Sequence, residues 1–126
     1  MRVLLDTSAY AALMSGHAAV RDTVREADEI YLNAIVLGEL LGGFTRGSRR
    51  AKNERQLSEF LESPRVSVID VDTSGRYAAI YDTLRTAGTP IPTNDMWIAA
   101  SAMQYGLRLL TLDSHFKHVP QVLVMP

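Results

Sequence analysis

The sequence predicts an α/β domain built on a mainly parallel sheet, and three observations predict it. Short apolar runs stand at Val3–Leu5, Ile30–Leu32, Val66–Ile69, Leu109–Leu112 and Val122–Val124. The stretches between them carry helical periodicity, and strands that alternate with helices pack as a parallel sheet covered by its crossovers. A chain of 126 residues at 47% hydrophobic content can build one core and has no room for a second, so a single domain over residues 1–126 is expected.

The first run reads as a strand that ends in Asp6-Thr7-Ser8. After the second run, residues 34–44 and about 48–62 read as two helices, broken at Gly42-Gly43 and Gly47. The third run ends at Asp70 and Asp72, and an Asp ahead of Thr73-Ser74 is a normal way to start a helix. Tyr77, Ile80, Tyr81 and Leu84 then fall at i, i+3, i+4 and i+7, which makes one apolar face of a helix over 74–87 that stops at Gly88. Thr89-Pro90-Ile91-Pro92 is a stiff extended approach to the next helix. Thr93 or Asn94 can cap that helix, which runs through Met96-Trp97-Ile98-Ala99-Ala100 to Gly106. Met96, Trp97 and Met103 read as core or dimer contacts rather than as a platform for stacking bases. The fourth run leads to Asp113, and the fifth runs toward Pro126.

Composition narrows the chemistry. The chain has no cysteine, which excludes disulfides, thiolate zinc sites and a cysteine nucleophile, and fits a reducing cytoplasm, where the protein is expected to act. No charged-then-apolar leader opens the sequence, and no apolar stretch approaches a bilayer span. A net charge of −1 lacks the basic excess of many nucleic-acid binders, so any such contact has to come from a local patch.

Four acids are candidates for a site. Asp6 and Asp113 follow two apolar strands, and in open parallel sheets ligands bind beyond the carboxyl ends of the strands. Taken singly, each could simply cap the segment that follows. Glu39 lies mid-helix in Ile35-Val36-Leu37-Gly38-Glu39-Leu40-Leu41, where an unpaired charge costs several kcal/mol if buried. Such an acid is paired with an arginine, protonated, metal-bound or able to reach solvent at a helix edge. Asp95 stands in a first helical turn, where the helix dipole favours an acid by a fraction of a kcal/mol. Taken together, the four are explained by one hard divalent cation. Mg2+ or Mn2+ prefers oxygen ligands and keeps several waters, so that some carboxylates bind directly and others act through water.

At these residues the chain resembles a known family. Leu4-Leu5-Asp6-Thr7-Ser8, Gly38-Glu39-Leu40, the stretch from Ile91 through Asp95 to Ala100, and the stretch from Leu110 through Asp113 to Phe116 resemble the four acidic motifs of PIN-domain ribonucleases, in the same order. The resemblance is strongest to VapC-type toxins, covers nearly the whole chain, and includes Tyr105-Gly106 between the last two motifs. It implies a three-layer α/β sandwich with a five-stranded sheet of order 3-2-1-4-5. It also implies hydrolysis of RNA with Mg2+ or Mn2+, homodimerisation, and neutralisation by a VapB-type antitoxin. Carried over, Asp6, Glu39, Asp95 and Asp113 form the acidic quartet. Asp6 and Asp95, with Asp113, are then the metal ligands, supported by Thr7, Ser8, Asn94 and Thr111.

The remaining charges divide. Arg46, Arg49, Arg50, Lys52 and Arg55 against Glu54 give a local charge of +4, read either as a solvated face or as a grip on RNA or antitoxin. His17, His115 and His118 match no zinc spacing and read as surface histidines. Two rival readings are weaker. A receiver-type signalling domain needs paired acids after the first strand, where this chain has Asp6-Thr7-Ser8, and a lysine at the end of the fifth strand. A haloacid dehalogenase-type phosphatase needs a second Asp at position 8, which is Ser8. A third alternative keeps the PIN fold but makes it a binding protein that acts in complex with its antitoxin.

Overall fold

The computed structural model describes residues 1–63 and 65–125. Pro126, toward which the fifth apolar run leads, lies outside the described residues. Strands β1 Arg2–Leu5, β2 Glu29–Asn33, β3 Arg65–Ser67, β4 Arg108–Leu110 and β5 Val124–Met125 form one sheet. Its order is β3-β2-β1-β4-β5, and every neighbouring pair is parallel. Helices α1 Thr7–Met14, α2 Ala18–Glu26, α3 Ala34–Phe44, α4 Arg50–Phe60, α5 Val71–Ala87 and α6 Thr93–Tyr105 make the crossovers, and a 3₁₀ turn spans Ser114–His118.

The central strand β1 is apolar because it is covered on both faces: Val3, Leu4 and Leu5 are fully buried, as are Leu109 and Leu110 of its neighbour β4. Helix α6 contributes Ile98, Ala99, Ala100 and Ala102 to the same core, and α5 contributes Ile80 and Leu84. No helix among the described residues is long and apolar enough to cross a membrane.

Several element boundaries differ from the sequence reading, each for a local reason. The third apolar run is a strand only as far as Ser67, because the Val68 carbonyl accepts the Tyr105 hydroxyl (2.7 Å) instead of a sheet partner. Helix α5 starts at Val71, three residues earlier than expected, because Asp70 and Thr73 close a capping box. Neither Thr93 nor Asn94 caps α6. Pro92 holds that position without a side-chain bond, and the Asn94 amide is turned toward Glu39. Gly42-Gly43 do not break α3, which runs through them to Phe44. It ends where the Thr45 amide and hydroxyl both bond the Gly42 carbonyl.

The fourth run leaves the sheet before its apolar residues end. Thr111 still donates its amide to the Met125 carbonyl (3.1 Å), but the Leu112 amide donates to the Ser8 hydroxyl (3.0 Å) and the Asp113 amide to the Thr111 hydroxyl (2.9 Å). Those side-chain bonds bend the chain across the end of β1. The fifth run is displaced in the other direction: Val122 packs into the core ahead of the strand, which is Val124–Met125.

Candidate active site

Asp6 follows β1 and caps α1. One carboxylate oxygen accepts the Ala9 amide (2.8 Å) and the Ser8 hydroxyl (2.7 Å); the other accepts the hydroxyl of Thr111. The Ser8 and Thr111 hydroxyls lie 3.3 Å apart, so the ends of β1 and β4 are joined through side chains as well as by the ladder. Asp6 is buried, and burial pushes its carboxyl above the usual range. Its hydrogen bonds oppose that rise, and the charge of Asp113 adds to it.

Asp95 in the first turn of α6 and Asp113 beyond β4 meet at His115. The imidazole Nδ1 lies 3.0 Å from Asp95 Oδ2 and 3.1 Å from Asp113 Oδ1. Asp113 also caps the 3₁₀ turn, accepting the His115 amide at 2.9 Å. One ligand atom from each of Asp95, Asp113 and His115 lies within 4.8 Å of the others. Burial raises the Asp95 carboxyl above its usual range, the His115 hydrogen bond opposes the rise, and the charges of Asp113 and Glu39 add to it.

Glu39 completes the cluster from α3. Thr7 at the start of α1 donates its hydroxyl to Oε1 (2.7 Å), and the Asn94 amide donates to Oε2 (3.4 Å). The glutamate is half-buried at a helix edge, so the solvent-reaching alternative is the one the fold adopts. The four supporting residues divide accordingly, Ser8 and Thr111 on Asp6, and Thr7 and Asn94 on Glu39.

Four acids on four separate segments therefore share one electrostatic site beyond the carboxyl ends of β1 and β4. Among the described residues no lysine or arginine pairs with any of them; the arginine ion pairs lie elsewhere, as in Arg2–Glu29 and Arg50–Glu54. Two of the four carboxyls are raised, chiefly by burial and also by their neighbours' charge, with His115 the one nearby group that opposes the rise at Asp95. Clustered oxygen donors with no lysine or arginine among them suit a hard divalent metal.

Comparison with known proteins gives the family. A family model described as PIN domain matches residues 3–122. The chain belongs to the PIN-domain family. Ribonuclease VapC4 of Mycobacterium tuberculosis is 32% identical to it over 127 residues, covering 98% of this chain and 95% of its own. Ribonuclease VapC of Rickettsia bellii is 32% identical over 129 residues, covering 99% and 96%. Among solved structures, VapBC2 from Rickettsia felis bound to a promoter DNA fragment aligns with a TM-score of 0.89 at 22% identity, over 99% of this chain and 98% of that one. FitAcB from Neisseria gonorrhoeae aligns with a TM-score of 0.78 at 26% identity, over 98% and 96%.

The sheet order of this PIN domain, 3-2-1-4-5, also removes the receiver alternative, whose doubly wound sheet runs 2-1-3-4-5. Of its three histidines, His17 caps α2 by accepting the Val20 amide (3.3 Å), and His118 is exposed at the end of the 3₁₀ turn. His115 is exposed, as expected of a surface histidine, and it also lies in contact with two of the acids, which the sequence reading missed. No local pattern marked that contact, because one of the two acids lies on α6, twenty residues away. Met96 is buried and Met103 half-buried, while Trp97 stacks on Tyr77 with ring centroids 4.4 Å apart.

Proposed function

We propose that this PIN domain is an endoribonuclease that depends on Mg2+ or Mn2+ and is the toxin half of a toxin–antitoxin pair. It acts in the cytoplasm as a homodimer and is restrained by a VapB-type antitoxin. The observation that carries the reading is the four-acid cluster without a compensating lysine or arginine, in a chain similar along nearly its whole length to VapC ribonucleases.

Asp6, Asp95 and Asp113 would hold the cation. When bound, a divalent cation neutralises the carboxylates, polarises the phosphoryl group and makes water a stronger nucleophile. The protein's own part is positioning. Ser8, Thr111 and the Ala9 amide fix Asp6 in one orientation, so little ordering is left to do when substrate arrives. Glu39, held by Thr7 and Asn94, would accept a proton from the attacking water. Attack in line on phosphorus leaves a 5′-phosphate and a 3′-hydroxyl.

The test is cleavage of RNA by purified, antitoxin-free protein. Cleavage should require Mg2+ or Mn2+, stop in EDTA, and fall on the order of 100-fold or more in Asp95→Asn. Products ending in a 2′,3′-cyclic phosphate would show that the RNA's own 2′-hydroxyl attacked, and would overturn the mechanism. Soluble, cation-binding protein that cleaves no RNA and leaves growth unimpaired would favour the binding-protein alternative.

A further inference from the structure

We infer that His115 is a direct ligand of the divalent cation through Nδ1, and that this nitrogen biases the site toward Mn2+ over Mg2+. The inference rests on the cation-dependent reading above and specifies it. Three observations carry it.

The first is spacing. Nδ1 lies 3.0 Å and 3.1 Å from carboxylate oxygens that belong to different segments, one in α6 and one beyond β4. Adjacent corners of an octahedron with bonds of about 2.1 Å are about 3.0 Å apart, so Nδ1 stands from each of the two oxygens at the spacing of a neighbouring ligand. The second is how the ring is held. The backbone amide of His115 is fastened to Asp113, and the next residue, Phe116, is fully buried in the core, so the 3₁₀ turn carries the imidazole to the acids. The third is the free end of the ring. Nδ1 has two carboxylate neighbours, whereas Nε2 has no hydrogen-bond partner among the described residues. Without an ion Nδ1–H donates to the carboxylates; with a cation on Nδ1 the neutral ring keeps its one proton on Nε2, where no group among the described residues competes for it.

The donor chemistry sets the preference. Mg2+ keeps to oxygen ligands and water, and gains little from an imidazole. A nitrogen donor adds more to a first-row transition ion, so two carboxylates and one imidazole favour Mn2+ beyond what carboxylates alone would do. The rival role is a hydrogen-bonding clamp, in which an Nδ1–H spaces Asp95 and Asp113 and never touches the ion. Such a clamp would support both ions alike.

Electron paramagnetic resonance of Mn2+ bound to the purified protein separates the two, together with calorimetric titration of Mn2+ and Mg2+ into wild type and His115→Gln. Glutamine keeps an N–H donor but is a poor ligand, and circular dichroism checks that the variant is folded. The inference expects a nitrogen coupling in the wild-type Mn2+ spectrum that disappears in His115→Gln. It also expects Mn2+ affinity to fall about 10-fold or more in the variant while Mg2+ affinity is nearly unchanged. A wild-type spectrum without nitrogen coupling, a coupling that survives in the variant, or equal loss for both ions overturns it and leaves cation dependence standing. Failure of both ions to bind the wild-type protein overturns His115 as a ligand and the cation-dependent reading together.

Discussion

Asp6 is asked to do two things that pull in opposite directions. As the cap of α1 it stabilises the fold by accepting an amide proton, and as a buried carboxylate beside Asp113 it destabilises the fold whenever it is ionised. Its folded-state pKa is raised above the ordinary carboxylate value. Between the ordinary value and the raised one, the native protein therefore binds more protons than the unfolded chain, and metal-free stability falls as pH climbs through that window. Asp95 is raised in the same direction and deepens the fall. Asn caps a helix as well as Asp does, so Asp6→Asn removes the charge and keeps the cap. In urea unfolding with chelator present, Asp6→Asn should be as stable as wild type or more so at neutral pH, with a flatter acid limb, whereas Asp6→Ala should lose about 1 kcal/mol through the cap. An Asp6→Asn protein as weakened as Asp6→Ala would mean that the charge carries no penalty. Each of the four acids has a local feature, an acid closing an apolar strand, interrupting an apolar helix or opening a helical turn, but only the four together pointed to a cation. His115 has no such feature. Its partner Asp95 lies on α6, and only the folded 3₁₀ turn brings the two side chains together.

Among the elements, glycine shows why the same residue type misleads in one place and informs in another. Gly88 and Gly106 end α5 and α6 with φ of +72° and +63°, the left-handed conformation that glycine adopts without strain. Gly42 lies inside α3 with ordinary helical geometry, so there it is only a weak helix former that the packing of α3 overrides. An added Cβ would meet nothing within 4 Å at either Gly42 or Gly88, which leaves backbone conformation as the only difference between them. Thermal melts should separate the two: Gly88→Ala should cost about 1–2 kcal/mol and lower the melting temperature by a few degrees, and Gly42→Ala should gain about 0.5 kcal/mol. Equal effects of the same sign would mean that side-chain space decides after all. Gly88 and Gly106 were readable from the sequence because each stands where a helical pattern stops. Gly42-Gly43 was not, because the Thr45 bonds that place the end of α3 beyond it depend on the helix already being formed. Strand β3 was overread for the same kind of reason, since Val68 and Ile69 continue the apolar pattern while the chain has already turned toward α5.

For the molecule as a whole, periodicity could predict a parallel sheet but not its order, because nothing in a local pattern states which strands are neighbours; that order was expected only through the resemblance of the four motifs. The order matters for charge. Placing β1 beside β4 gathers the acids at one edge, and a polyanion such as RNA is repelled there until a cation is bound and a basic surface offsets the remainder. The +4 run, at the turn between α3 and α4 and along the start of α4, is the available surface, and it begins two residues beyond the end of the helix that carries Glu39. Its arginines are not equivalent. Arg50 is engaged with Glu54 at 2.7 Å in an exposed i,i+4 pair, whereas Arg46 and Arg49 are exposed and form no ion pair among the described residues. Each phosphate contact contributes about 0.7–0.9 to the slope of log affinity against log salt, so Arg46→Ala with Arg49→Ala should reduce the slope by about 1–2. Arg50→Ala alone should reduce it less, because its guanidinium already has a carboxylate partner. The measurement is RNA binding across a salt series with Mg2+ present, in an Asp95→Asn background so that the RNA stays intact. A salt slope and RNA affinity unchanged by the double substitution, with affinity for the antitoxin lowered, would assign the basic run to the protein partner and require the RNA to reach the acids along another face.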